Sequence, residues 1–414
     1  MRGAAPPAAG GRRSACDNPR VPPPILARRA FLRATVTNLF FFSALNGFVL
    51  LPLYVQQLGG TEVDVGLVMG LYSALGILCQ PLIGAWVDAV GRKPFMGLGA
   101  GLVLASALLM MVVEAIPGLA LLRALQGVGF SAFFVANYSH VLDLVPPAAR
   151  GWALGIYGVS GLVATALTPL VGEWLIRRLG FRAFFFGCAL LALVAAGLVW
   201  RLREPPRDAP PSVAGRAWAR AGLADLARRH MAVTVFFGLG SGVFFTFVPT
   251  FAEALGVRTL ALFYTAYAGA AMGVRILGGR LIDTAGRRAV IVPSMFVQAL
   301  AAALLAALGL LAGRPAPGPV LAAAGLLAGG AHGFLYPALA ALVADQAPAA
   351  RRGAVVGLFS AVFLVGNAGG AFVFGYVAHA LGYGLMWSLL AALLLGGGAL
   401  SLRLAEPASL EPAT

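Results

Sequence analysis

The sequence has 414 residues, of which 60% are hydrophobic and 11% charged, against roughly 45–50% apolar and about 25% charged in an ordinary soluble domain. That balance excludes a water-soluble globule. The net charge of +15 comes from thirty basic residues, Lys93 the single lysine among them, set against fifteen acids; the basic residues lie in the breaks between apolar runs and not on one face of a domain, which excludes a nucleic-acid footprint.

Residues 1–30 read as a disordered basic cytoplasmic tail, because they lack the short apolar core and small-residue cleavage site of a signal peptide. Beyond them, apolar runs near the 20 residues or so that cross a bilayer as helix predict twelve spans. Helices 1 to 6 fall near 31–56, 63–87, 95–114, 117–141, 152–176 and 181–201; helices 7 to 12 fall near 231–255, 260–282, 289–312, 318–343, 353–378 and 383–403. Stretches such as 95–113 and 184–200 are apolar on every face, unlike the alternating strands of a membrane barrel. Arg92, Lys93, Arg150, Arg280, Arg287, Arg288, Arg351 and Arg352 fall on the side of the N-terminus, and only Arg177, Arg178, Arg182, Arg258 and Arg314 on the other. By the positive-inside rule both termini face the cytoplasm.

Between helices 6 and 7 the pattern breaks, with Pro205, Pro206, Pro210 and Pro211 followed by Arg216, Arg220, Arg228 and Arg229. This stretch reads as a cytoplasmic linker, 203–230, between two bundles, 31–202 and 231–404, with a tail at 405–414. The two bundles repeat one another. Gly84-x3-Asp88-x2-Gly91-Arg92-Lys93 recurs 195 residues later as Gly279-x3-Asp283-x2-Gly286-Arg287-Arg288; Asp143 to Gly151 recurs 202 residues later at Asp345 to Gly353, and Leu179-Gly180 at Leu381-Gly382. The expected fold is all-α and integral to the membrane, two parallel six-helix repeats.

The loop 84–93, its copy at 279–288 and the basic linker resemble the major facilitator superfamily over essentially the whole of 31–404, and within it the efflux-type proton antiporters. That resemblance implies a solute site near midplane between the halves, reached alternately from either side, with Gly84, Asp88, Gly91, Arg92 and Lys93 and their copies Gly279, Asp283, Gly286, Arg287 and Arg288 biasing which side is open.

Arg123-x2-Gln126-Gly127-x-Gly129 in helix 4 is similar to the family's second motif, whose arginine serves proton coupling. An arginine within a span is a functional candidate by default; the alternative is a side chain snorkelling to the headgroups. Gln126, Phe130, Phe134 and Asn137 follow Arg123 along one side of the helix and suit a cavity lining. Helix 5 carries Gly158, Gly161, Pro169 and Gly172, a weakened form of the family's glycine-proline motif in which Thr168 and Glu173 replace glycines; Gly161, Pro169 and Gly172 are expected to act as a hinge. Glu173 is either an exposed carboxylate at the outer end or a protonatable partner of Arg123. In the second half, Arg275 either pairs with Asp283 or binds an anionic solute, His332 either couples protons and binds substrate or caps a backbone carbonyl, and Asn367 and Ser360 share a face of helix 11.

Cys16, Cys79 and Cys188 have no metal-ligand spacing, so neither metal nor cofactor is expected, and the proton gradient is the expected drive. The sequence contains no GxxxxGK[ST] loop for ATP, and neither the HExxH nor the GxSxG pattern of a membrane hydrolase. The expectation is a secondary transporter in a bacterial inner membrane, working as a monomer on a small-molecule substrate by proton-coupled efflux, with an importer or a non-transporting sensor as alternatives.

Overall fold

The computed structural model describes residues 29–145, 150–202, 229–278, 281–311, 316–345 and 352–405. The tail before residue 29, most of the linker, Gly279, Arg280 and Arg351 lie outside the described residues, as do the side chains of Asp88, Asp283 and Arg352.

Helix 1 runs over Arg29–Asn46 and, after a 3₁₀ turn at Gly47–Leu50, over Leu51–Gln57. Helix 2 is Glu62–Val90, helix 3 Arg92–Leu109, helix 4 Ile116–Leu144, helix 7 Arg229–Ala254, helix 8 Leu262–Leu277, helix 9 Arg287–Leu310 and helix 10 Pro317–Asp345. Helices 5 and 6 form one continuous run, Arg150–Trp200, bent at Gly180, and helices 11 and 12 another, Arg352–Ser401, bent at Gly382. Eight helices among the described residues are long and apolar enough to cross a membrane. Two of those are the bent runs and hold two spans each, and Arg92–Leu109 and Leu262–Leu277 complete twelve.

Local chemistry sets the boundaries. Thr61 starts helix 2 as a capping box: its hydroxyl accepts from the Asp64 amide at 3.4 Å and the Asp64 carboxylate accepts from the Thr61 amide at 2.8 Å. Gly91 and Gly286 separate helices 2 and 3 and the end of helix 8 from helix 9 at φ of 134° and 91°, values that a side chain rarely tolerates. Gly180 and Gly382, at φ 82° and 75°, make the sharp turns that leave helices 5–6 and 11–12 antiparallel. Pro169 does not break helix 5, since Gly180 is the residue with non-helical torsions inside the run; the expected hinge at 161–172 is a continuous helix in this conformation.

The face where helices 1, 7, 5 and 11 begin is here the terminal face, and the opposite one the distal face. Helix 2 packs on helix 11, helix 5 on helix 8, and the end of helix 1 on helix 7, joining the halves. These joints are tight toward the distal face. A Cβ on Gly66 would strike the Ala371 carbonyl oxygen, and one on Gly375 would lie 2.8 Å from the Glu62 carbonyl oxygen. Small residues let helix backbones approach this closely in lipid, where packing replaces hydrophobic burial as the driving force. Gly84 lies five helical turns below Gly66 on the same face, yet among the described residues no atom from another helix comes within 4 Å of its Cβ position. Helix 8 behaves alike: Thr265 bonds across to helix 5, while Ile276, three turns lower, is 70% exposed. Among the described residues the halves are closed at the distal face and looser toward the terminal face.

Candidate functional site between the halves

Arg123 enters from helix 4 and is 4% exposed, which rejects the snorkelling alternative. Its Nη1 donates to Gln126 Oε1 at 2.8 Å, and the guanidinium carbon stands 4.2 Å from the Tyr72 ring centroid and 5.8 Å from that of Phe48. Aromatic faces and one amide thus hold the charge; no carboxylate pairs with it among the described residues, and its Nε is buried without a hydrogen-bond partner. From Tyr72, a row of rings descends helix 4 through Phe130 and Phe134 to Tyr138 at centroid spacings of 5.6, 5.4 and 5.9 Å. Phe134 is half-buried and suits the expected lining.

Asn137 does not line the cavity. It is fully buried, and its Nδ2 donates to Tyr157 Oη at 2.8 Å and to Asn38 Oδ1 at 3.3 Å. Tyr157 Oη donates to Asn38 Oδ1 at 2.6 Å, and Asn38 Nδ2 to Ser160 Oγ at 2.8 Å. This network ties helices 1, 4 and 5 into one body. The helical periodicity that placed Asn137 on the cavity side spans only a few turns, and a small drift moves one residue into the interior.

Glu173 is neither of the two things the sequence suggested. It is 5% exposed and sits across the joint between the halves: Oε1 accepts from the Leu260 amide at 3.0 Å and Oε2 from the Ala261 amide at 2.8 Å. Those amides are at the N-terminus of helix 8, where backbone donors are otherwise unsatisfied and a negative charge is favoured. Arg177 Nε, one turn on, also donates to Oε1 at 3.0 Å, and its Nη2 reaches Glu253 of helix 7 at 3.7 Å. Beside these groups lies a cavity of ≈ 460 Å³, lined in part by Gln56, Gln57, Glu173, Arg177 and Glu253. Other bonds close the same face: Thr265 Oγ1 donates to the Ala166 carbonyl at 2.9 Å and Gln56 Nε2 to Tyr383 Oη at 3.4 Å. Ser73 Oγ donates to Asn367 Oδ1 at 2.8 Å. Asn367, half-buried, thus ties helix 11 to helix 2 about midway along both helices. Gly172 faces inward in its own half, where a Cβ would meet the Phe184 ring at 2.9 Å, and the Gly161 carbonyl accepts from Asn46 Nδ2 at 3.5 Å.

On the other side Arg275 of helix 8 is largely buried, its Nη1 3.2 Å from where Gly158 of helix 5 would carry a Cβ. Its Nε has no hydrogen-bond partner. His332 lies at mid-helix 10 among the rings of Phe237, Tyr267 and Tyr336, at 5.2, 5.6 and 6.0 Å, with Nδ1 buried and unbonded. A bond to a backbone carbonyl, one of the two alternatives for His332, is not made through Nδ1. Tyr336 Oη and Ser360 Oγ stand 3.5 Å apart.

The two Gly-x3-Asp loops show one geometry twice. Arg92 Nε meets Asp143 at 3.0 Å and Arg287 Nε meets Asp345 at 3.2 Å; Lys93 Nζ donates to the Trp200 carbonyl at 2.6 Å and Arg288 Nη2 to the Leu402 carbonyl at 2.7 Å. Each basic pair thus clamps the start of its helix to the ends of helices 4 and 6, or 10 and 12, inside its own half. The sequence repeat contained both members of each ion pair but gave no sign that they meet. It also missed Tyr72, whose copy is Tyr267, and the Asn38–Tyr157 network; the shared Tyr of the repeat was the available signal.

The family model described as Major Facilitator Superfamily matches residues 33–315 and 231–414. The chain is similar to the Staphylopine export protein of Staphylococcus aureus (strain Mu50), 24% identical over 86% of this chain and 91% of that protein. It is also similar to the Multidrug resistance protein MdtG of Citrobacter koseri, 36% identical over 35% of this chain and 36% of that one. Among solved structures, a mutant of the nucleoside transporter NupG superposes with a TM-score of 0.78 at 14% identity, covering 90% of this chain and 99% of that chain. A bacterial homologue of the human lysosomal transporter Spinster gives 0.72 at 16% identity, over 92% and 97% of the two chains.

Proposed function

The chain belongs to the Major Facilitator Superfamily, and we propose that it is a proton-coupled exporter of a small organic solute, working as a monomer in a bacterial inner membrane with both termini cytoplasmic. The observation that carries the reading is the asymmetry of the joint between the halves. A carboxylate, Glu173, holds the distal face shut through the helix 8 amides, while the terminal face is looser. In the proposed topology the solute enters from the cytoplasm along that looser side. A proton arriving from outside through the ≈ 460 Å³ cavity neutralises Glu173, weakens its charge-assisted bonds and lets the distal face open; its release to the cytoplasmic side as that face closes again carries it against the solute. The distant likeness to an export protein along nearly the full chain, and the partial one to a multidrug resistance protein, support the outward direction.

The test is proton movement in proteoliposomes containing a pH-sensitive dye. Addition of a transported compound is expected to release protons against its flux in the native protein, and Glu173→Gln is expected to lose that response. Protons moving in the same direction as the compound would establish an importer instead. Flux with no proton response would leave a facilitator, and compound binding with no flux would leave a sensor.

A further inference from the structure

Arg275 and its surroundings are built for a ligand that the fold itself does not supply. The residue lies thirteen positions past Leu262, about 20 Å along helix 8 from its distal end at 1.5 Å per residue. An arginine within a span is costly to keep there and marks a functional candidate. No carboxylate among the described residues offsets the charge, and Nε is buried with no acceptor. Gly158 leaves room for the guanidinium against helix 5, since a Cβ there would lie 3.2 Å from its Nη1, tighter than an ordinary contact. The charge lies close enough to act electrostatically on His332, Tyr267 and Tyr336. Those three pack with Phe237 and Phe363 into one cluster of rings, the His332 centroid lying 5.2 Å from Phe237 and 6.3 Å from Phe363; His332, Tyr336 and Phe363 are half-buried, and Phe237 and Tyr267 are buried behind them. Arg275 lies two residues before the end of helix 8 at Leu277, so the group stands toward the terminal end of the joint.

We propose that Arg275, with the rings about His332, binds a small aromatic carboxylate entering from the terminal face. A guanidinium presents parallel N–H donors that fit the two oxygens of a carboxylate, and such charge-assisted pairs are about twice as strong as neutral ones. The flat body of the ligand stacks on or edges against the rings, and Tyr336 Oη supplies a further donor. A bare inorganic anion gains the first set of contacts and not the second. The proposal rests on the transporter reading for its purpose, though not for its geometry.

Equilibrium dialysis of labelled indole-3-acetate against the purified full chain in detergent tests it, with indole-3-acetamide as neutral competitor and phosphate as bare anion. The expected result is binding to the native protein, and competition by the amide and by phosphate that is each weaker by about tenfold or more. Arg275→Gln is expected to lose affinity by a similar factor, and Arg275→Lys, which keeps the charge but not the fork, to fall between. Gel filtration and thermal unfolding of both variants report the fold, and Arg275→Gln is expected to be at least as stable as the native protein because it removes an unpaired buried cation. Absence of carboxylate binding, equal competition by the amide, or unchanged affinity in folded Arg275→Gln overturns the site. Exchange in proteoliposomes separates the two claims: binding that depends on Arg275 without any exchange sinks the carrier and keeps the site, whereas exchange of solutes indifferent to Arg275 keeps the carrier and sinks the site.

Discussion

Asn38 illustrates how single residues hold a bundle together in lipid, where apolar side chains gain little by leaving one another's company. Its amide oxygen accepts from Tyr157 and Asn137, and its Nδ2 donates to Ser160. Replacing it leaves a buried tyrosine hydroxyl and a buried amide to find other partners, at a cost of roughly 1–3 kcal/mol. Asn38→Ala is therefore expected to lower the unfolding temperature of the purified protein, whereas Asn38→Asp would bury a charge and do worse; thermal scans in a fixed detergent check both. Arg123 stands differently. Its charge is met by the faces of Tyr72 and Phe48 and by one amide, an arrangement that leaves it available to an anion or to a carboxyl group brought close by movement of the halves.

At the level of helices, the closure of the distal face hangs on the N-terminus of helix 8 meeting a carboxylate from helix 5. Glutamine at 173 offers one acceptor oxygen and an NH₂ that confronts an amide donor, so one of the two bonds to Leu260 and Ala261 must go. Spin labels at Gln57→Cys and Arg258→Cys, on opposite halves at this face, are expected to show a longer and broader distance distribution in Glu173→Gln than in the native protein. An unchanged distribution would mean that the Ser73–Asn367, Gln56–Tyr383 and Thr265–Ala166 bonds suffice. The clamps at Arg92 and Arg287 act at the same scale but within each half, so that helices 3, 4 and 6, and 9, 10 and 12, move as blocks.

For the whole molecule, the halves meet closely where glycines allow it and separate where they do not meet. Gly66 and Gly375 bring the backbones of helices 2 and 11 close together. Leucine at either position cannot fit against backbone oxygen, so Gly66→Leu is expected to prevent distal closure and to reduce transport by at least about tenfold while the protein remains folded, because each half keeps its own core. Solvent accessibility of a cysteine at Gln56, measured by maleimide labelling in native and Gly66→Leu protein, checks the closure directly.

The twelve spans, the twofold repeat and the family were legible from residue order alone, because hydropathy over 20 residues and copies of Gly-Arg pairs are local signals. Gly91 and Gly286, Gly180 and Gly382 recur for a reason the backbone supplies: each turn needs a φ that only glycine takes easily. Phe134, Gln126, Arg123, Arg275 and His332 stood out as candidates because polar or aromatic groups inside apolar runs are conspicuous. What those groups touch was not legible. Glu173 meets amides 87 and 88 residues away, and Asn367 meets Ser73 across 294; Asn137 turned into its bundle because helix rotation, set by packing, decides which side is inside. The sequence by itself determined the helices, their order and their duplication, since these depend on neighbours along the chain. Only the tertiary structure decided which face is closed and which charges remain unpaired, since those depend on contacts between halves that share no sequence neighbourhood.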